Sequence, residues 1–361
     1  MVGEQRFVSD LQQYNRAVAL NFYWHQLIFI SGKTRRLCDI KQVKNSFIVY
    51  QGRARMMLSK EHSMKTANKL FGLIILSVGI CLSSFSFAAV PGTDGFGLID
   101  PVDDRAIKDM ISSKSDVLLA DDKVVHIKDF GDQLKRKQTE LKLPRLKTSE
   151  LTTREFYQAV TPSVLILSKI YKCGRCERWH DRSAGAFVLT ADGAIVTNYH
   201  VVEGPRDDER AMVATTSTGE VYPVKELLAA SQTNDVAILQ LELPRGVQLQ
   251  PAKIATRSWP GEDAIVISHP VGRFYTLTKG TVSRNAKLQS KDGTSNRLFI
   301  TADYAKGSSG SPVFNSLGEV IGLVSSTESI YYTQTKDVQK NLQMVFHNCV
   351  QGQAVLSLIK K

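Results

Sequence analysis

The stretch Gly307-Ser308-Ser309-Gly310-Ser311-Pro312 sets a serine between glycines just ahead of an apolar, strand-like run. A chain that turns sharply at such a point presents a hydroxyl beside backbone N–H groups, an arrangement suited to a nucleophile. Alone, such a run is more often a plain turn. Two further segments give it company. Thr197-Asn198-Tyr199-His200-Val201-Val202 closes one apolar run, and Asn234-Asp235-Val236-Ala237-Ile238-Leu239 opens another. Along the chain the order is His, Asp, Ser, with separations of 35 residues from His200 to Asp235 and 74 from Asp235 to Ser309.

That order, in those contexts, resembles the chymotrypsin-like serine peptidases, and among them the bacterial HtrA/DegP-like branch, over about residues 153 to 361. The resemblance implies a triad of His200, Asp235 and Ser309. The chemistry explains the residue types. A serine hydroxyl is a weak nucleophile near neutrality, so a neutral imidazole must accept its proton as the C–O bond forms. His200 takes that part, while Asp235 fixes its tautomer and stabilises the imidazolium that develops. The backbone N–H groups of Gly307 and Ser309 are the expected donors to the oxyanion, each worth on the order of 3 kcal/mol of barrier. Taken singly, Asp235 also reads as a turn residue and His200 as a strand-end histidine.

The chain departs from the family pattern in two places beside the nucleophile. Ser308 stands where digestive enzymes carry an aspartate that pairs with a newly cut N-terminus, so activation by that route is not expected. Ser311 replaces the usual glycine and is expected to be tolerated. Asp303, six residues before Ser309, has the spacing of the acid that selects Lys or Arg in trypsin-type pockets. It also reads as the structural aspartate of HtrA-like enzymes, shifted along the loop, and one acidic residue in a loop says little about pocket shape.

From residue 151 onward the pattern is one short helix, Thr153 to Val160, and then many short strands separated by turns. Strands are predicted at Gly185 to Thr190, Ala194 to Thr197, Glu220 to Val224, Val236 to Leu241, Ala264 to Ser268, Thr276 to Ser283, Leu298 to Ala302, Pro312 to Phe314 and Glu319 to Ser325. A closing strand is expected at Asn341 to Phe346 and a terminal helix at Val350 to Ile359. The fold class is all-β. The strand count suits two packed six-stranded barrels and the resemblance implies the same: Greek-key barrels with His200 and Asp235 on the first and Ser309 on the second. No residues follow 361 in this sequence to form a PDZ domain, which counts against the chaperone activity and caged assembly of most HtrA-like proteins.

The 361 residues carry a formal net charge of +11. That charge is unevenly placed. Residues 1–88 hold 12 Lys/Arg against 4 Asp/Glu, leaving 34 against 31, or +3, for residues 89–361. No basic stripe with interleaved aromatics appears there, so nucleic acid is not an expected partner. Met64-Lys65 and Lys69, the apolar run Leu70 to Leu82, and Ser86-Phe87-Ala88 before Ala89 read as a signal peptide over 64–88. Lys60-Glu61 would be encoded by a sequence that doubles as a ribosome-binding site ahead of Met64, so residues 1–63 are expected to be a non-native upstream extension. The alternative is an inner-membrane signal anchor, since Leu70 to Val90 is long enough to span. Either way the 151–361 domain is expected in the periplasm or outside the cell, with no stable membrane insertion once a signal peptide is cleaved.

Residues 89–150 form an N-terminal extension or linker, partly helical, with a helix at Asp103 to Ser113, a strand at Lys123 to Lys128, and helix-compatible polarity from Asp129 to Leu141. Propeptide, oligomerisation arm and spacer all fit its composition. Cys173, Cys176 and Cys349 are the cysteines beyond residue 88. Cys173-Gly174-Arg175-Cys176 followed by His180 is compatible with a Cys173–Cys176 disulfide, part of a metal site, or free thiols. With three candidate ligands and not four, no metal is assigned, and no cofactor is expected. The function expected is that of a serine endopeptidase acting on protein or peptide substrates. The alternative is a latent or catalytically silent relative that binds peptides. Oligomeric state is not encoded in any motif.

Overall fold

The computed structural model describes residues 101–120 and 124–360. The extension and signal-peptide readings over 1–63 and 64–88 lie outside those residues. Among the described residues twelve strands form: β1 (Val164–Lys172), β2 (Trp179–Val188), β3 (Ala194–Thr197), β4 (Glu209–Thr215), β5 (Val221–Ser231), β6 (Val236–Leu241), β7 (Asp263–Ser268), β8 (Thr276–Ser290), β9 (Gly293–Ile300), β10 (Pro312–Phe314), β11 (Val320–Gln334) and β12 (Gln339–Gln351). They close into two antiparallel barrels, β1-β2-β3-β6-β5-β4 and β7-β8-β9-β12-β11-β10. Both barrels therefore repeat one Greek-key path, in which the third strand pairs with the sixth. Closure leaves neither sheet an open edge.

Side-chain alternation explains the first barrel. In β1 and β2, Leu165, Leu167, Ala186 and Val188 share one buried cluster with Ile195, Leu239 and Met212, whereas Ile166, Phe187 and Val196 join a second cluster that reaches Phe314 and Leu323 of the other barrel. With both faces covered, these strands read as nearly continuous apolar runs. The second barrel has a smaller interior of Val266, Val282, Leu298, Ile300, Val313 and Cys349.

The α-helices among the described residues are α1 (Asp104–Ala120), α2 (Phe130–Gln133), α3 (Thr153–Val160), α4 (Tyr199–Val202) and α5 (Gly352–Leu356). A capping box starts α3: the Thr152 hydroxyl accepts from the Glu155 N–H while Glu155 accepts from the Thr152 N–H. Phe156 then packs edge-on against Phe314 with ring centroids 5.9 Å apart, so this helix tethers the start of the first barrel to the second.

Several boundaries differ from expectation. The helix expected to end at Ser113 continues to Ala120, because Ser112 donates from Oγ to the Trp179 carbonyl at 2.7 Å and Ser115 is fully buried, contacts that a local reading of serine as a helix breaker misses. The strand expected at Lys123 to Lys128 is replaced, among the described residues, by a 3-10 turn at Ile127–Asp129 that drops Ile127 and Phe130 into the first barrel's cluster. The terminal helix begins at Gly352, since Val350 stays in β12 as a buried partner of Leu323. Residues 104–120 and 124–141 pack on the barrels. Ile107 and Ile111 are buried in the shared core, and Arg136 and Gln133 bond the backbone of β5 at Leu227.

The barrels meet at one close backbone contact. The Gly185 N–H of β2 donates to the Ser309 carbonyl at 2.7 Å. A Cβ on Gly310, whose φ is +82°, would lie 2.3 Å from both the Gly185 carbonyl and Thr197 Oγ1. Gly310→Ala is accordingly expected to cost roughly 2–4 kcal/mol, combining a left-handed backbone with overpacking. A lowered thermal midpoint together with slower reaction at Ser309 would show this; an unchanged midpoint would contradict it.

Candidate active site

Three loops converge where the barrels face each other. His200 sits on α4, the single turn that follows β3, and Asp235 sits in the turn before β6 with φ of 57°. Aspartate is among the few non-glycine residues that tolerate this left-handed region. Ser309 lies in the turn before β10. The structure brings all three together: His200 Nδ1 is 2.9 and 3.0 Å from the two Asp235 carboxylate oxygens, and His200 Nε2 is 3.0 Å from Ser309 Oγ. A carboxylate only accepts, so Nδ1 carries the proton and Nε2 is left as the acceptor for the Ser309 hydroxyl.

Asp235 is held from four sides. Its carboxylate accepts from the His200 backbone N–H at 3.1 Å and from Ser325 Oγ at 2.6 Å, and its carbonyl accepts from Asn198 Nδ2 at 3.0 Å. Burial pushes its pKa up, but the bonds and charge of His200 and the Ser325 hydroxyl outweigh that and hold it below the usual carboxylate range. Ser325 carries no functional signal in the sequence. It lies 90 residues from Asp235, at the end of an ordinary strand pattern, and no local signal marks it.

The loop carrying Ser309 is fixed from behind. Gly307 has φ of +97°, and a Cβ there would stand 2.8 Å from the His269 carbonyl. The Lys306 carbonyl accepts from the Val271 N–H at 2.7 Å. In a trans peptide the C=O and the next N–H point in opposite directions, so the Gly307 N–H is turned away from Val271. Neither it nor the Ser309 N–H has an acceptor among the described residues. Ser308, in the place of the activating aspartate, is fully buried and donates to Ser268 Oγ at 3.1 Å, leaving no charge for a new N-terminus to pair with. Ser311 Oγ is buried with no hydrogen-bond partner among the described residues, and it fills the space that a side chain at Gly185 would need.

His269 anchors this backing loop. It accepts at Nδ1 from the Tyr275 N–H at 3.2 Å, so Nε2 carries the proton and donates to the Leu165 carbonyl of β1 at 3.1 Å. Full burial pulls its pKa from 6.5 down to about 4. Below pH 6.5 the unfolded chain binds a proton at this position that the folded chain refuses, so stability falls as the pH drops toward 4. The loss is roughly 3 kcal/mol. Comparing the acid slope of the thermal midpoint in the wild type and in His269→Gln, which keeps a donor without a titrating ring, checks this. Equal slopes would refute it.

Asp303 is placed differently from its neighbour. Its side chain is 88% exposed, 3.4 Å from His347 Nε2. Tyr304 is the buried member of the pair, its hydroxyl 2.8 and 2.9 Å from the Asn348 and Ser326 carbonyls, and burial raises its pKa. The two cysteines of the C-x-x-C run stand at the tip of the β1–β2 hairpin as free thiols with sulfurs 3.5 Å apart, Cys173 drawn down to about 7 by the Arg175 backbone N–H and by Cys176. Cys349 is buried and pushed up to about 12.

Two six-stranded barrels with His, Asp and Ser gathered between them define the class of trypsin-like peptidases. Comparison with known proteins agrees. The family described as trypsin-like peptidase domain matches residues 184–323, a span containing all three residues. The chain is 30% identical over 191 residues to "Protease Do-like 1, chloroplastic" of Arabidopsis thaliana, covering 50% of this chain and 42% of that protein. It is 34% identical over 143 residues to "Probable periplasmic serine endoprotease DegP-like" of Pseudomonas savastanoi pv. phaseolicola, covering 38% of this chain and 28% of that one. To the protein of the same name in Ectopseudomonas mendocina it is 30% identical over 185 residues, covering 51% and 36%. The chain thus contains a trypsin-like peptidase domain with HtrA/DegP-like serine proteases as homologues, and it spans less than half the length of each of these relatives.

Proposed function

We propose that this protein is a periplasmic or secreted serine endopeptidase that cleaves peptide bonds in protein or peptide substrates through an acyl-enzyme on Ser309. The observation that carries the reading is the unbroken chain from Asp235 through His200 to Ser309, with links of 2.9 and 3.0 Å. As Ser309 Oγ attacks the substrate carbonyl, its proton passes to His200 Nε2 and the carbonyl electron pair moves onto oxygen. The free N–H groups of Gly307 and Ser309 receive that oxyanion. Collapse of the intermediate expels the amine, which takes the proton back from His200. Water, deprotonated by the same ring, then releases the acid and restores Ser309.

Location rests on relatives named periplasmic and on the signal-peptide reading of 64–88. Among the described residues no helix is long and apolar enough to cross a membrane. Labelling the protein from Ala89 onward with a fluorophosphonate tests the function. One adduct, mapped to Ser309 and absent in Ser309→Ala, is the expected mass result. A folded protein that takes no adduct would favour the silent, peptide-binding alternative.

A further inference from the structure

At the tip of the first hairpin, about 20 Å along β2 from Gly185 by the strand rise, lies a second cluster of reactive side chains. The ladder between β1 and β2 is paired up to Lys172 opposite Trp179, with Tyr171 opposite His180. The six residues from 173 to 178 connect the strands, and Gly174 adopts φ of +71° there. In this turn Cys173 Sγ is 3.5 Å from Cys176 Sγ, and Cys176 Sγ is 3.1 Å from His180 Nε2. All three donor atoms lie within 4.8 Å of one another.

These separations are too long for a bonded pair of sulfurs, which sit about 2.05 Å apart. The Cys173–Cys176 and Cys176–His180 separations are close to two edges of a tetrahedron around a small thiophilic cation. With Zn–S near 2.3 Å and Zn–N near 2.0 Å, tetrahedral angles give S···S of about 3.8 Å and S···N of about 3.5 Å. The Cys173–Cys176 and Cys176–His180 separations, 3.5 and 3.1 Å, lie within a few tenths of an ångström of those edges, and the third, within 4.8 Å, would close by about an ångström in an exposed turn.

The surroundings orient the donors. The His180 ring lies 5.5 Å from that of Tyr171, and the Arg182 guanidinium covers the other aromatic at 3.6 Å. Lys172 Nζ stands 4.5 Å over the Trp179 ring and donates to the Glu177 carbonyl, closing the turn. Two thiolates and a neutral imidazole would balance a divalent charge, with no acidic ligand required.

From this geometry we propose that Cys173, Cys176 and His180 form a three-ligand site for zinc, its fourth position open to water. The site pins the tip of the hairpin on which α1 docks. Arg178, between Cys176 and His180, pairs with Asp109 of α1 at 2.7 Å, and the Trp179 carbonyl accepts from Ser112 of the same helix. A bound cation therefore fixes both ends of that helix-to-hairpin contact without touching the residues between the barrels.

The test titrates the purified, reduced full chain with Co2+ alone and then with Zn2+. One equivalent of Co2+ should give thiolate-to-cobalt charge-transfer and tetrahedral d–d bands that one equivalent of Zn2+ bleaches. Cys176→Ser and His180→Asn should each weaken Co2+ binding at least tenfold, and Zn2+ should raise the thermal midpoint of the wild type but not of Cys176→Ser. Should a variant fail to fold, the wild-type titration still decides. Three results would overturn the proposal: no thiolate band with the reduced wild type, a band unchanged in Cys176→Ser, or protein isolated with its thiols trapped that has lost the mass of two hydrogens between Cys173 and Cys176.

Discussion

Ser309→Ala should lower kcat/KM on a peptide substrate by roughly 10⁴- to 10⁶-fold while leaving the fold intact. Among the described residues, the hydroxyl is the group placed to form a covalent bond with a carbonyl held against the Gly307 and Ser309 N–H groups. Its removal takes away the partner that His200 Nε2 has at 3.0 Å among the described residues. Ser308 and Ser311 cannot substitute, because both are buried. Any residual rate would come from water activated by His200 and from binding in the oxyanion pocket. A variant that folds, with an unshifted thermal midpoint, and still turns over within tenfold of the wild type would refute the assignment of the nucleophile.

Asp235→Asn should cost about 10⁴-fold in kcat/KM near neutrality. Asparagine tolerates the left-handed backbone that Asp235 adopts, so the substitution changes the electronics more than the geometry. The amide can still meet His200 Nδ1, but by offering an N–H. The ring then carries its proton on Nε2 and cannot accept from Ser309. Asp235 is held below the usual carboxylate range, so its charge persists well into acid. Its contribution to folding is present above the ordinary aspartate value and is lost only as the pH falls through the lower folded value. The asparagine variant should therefore lack that acid-side term. Measuring kcat/KM and the thermal midpoint of both proteins from neutral to acid pH tests both statements. Near-equal turnover would remove Asp235 from the mechanism.

What the sequence made legible follows a physical pattern. β3, β6 and β10 are read without error because each is a short apolar run ended by turn chemistry, and two of them lead into or out of His200 and Asp235. β8, β9, β11 and β12 extend well past their expected ends, since their outer halves, such as Lys287 to Ser290 and Ser329 to Gln334, are exposed or only half-buried and lack the apolar runs that mark the inner halves. β1 and β4 are further strands, mostly buried in the first barrel, that the sequence reading does not include. Relations across long separations left no trace at all. Ser325 on Asp235, His269 on Leu165, and the fit of Gly185 against Ser311 each join residues that only the closed barrels bring near.

The bond from the Gly185 N–H to the Ser309 carbonyl makes the nucleophile a measuring device for the alignment of two halves that each close their own hydrogen-bond ladder. A slip of an ångström between them would leave the strand content, and hence the circular dichroism, almost untouched, yet would carry Ser309 out of range of His200. On warming, turnover should fade before secondary structure melts. A mutational map would find its silencing positions not only around the three reacting residues but along this seam, where glycine on one half answers serine on the other.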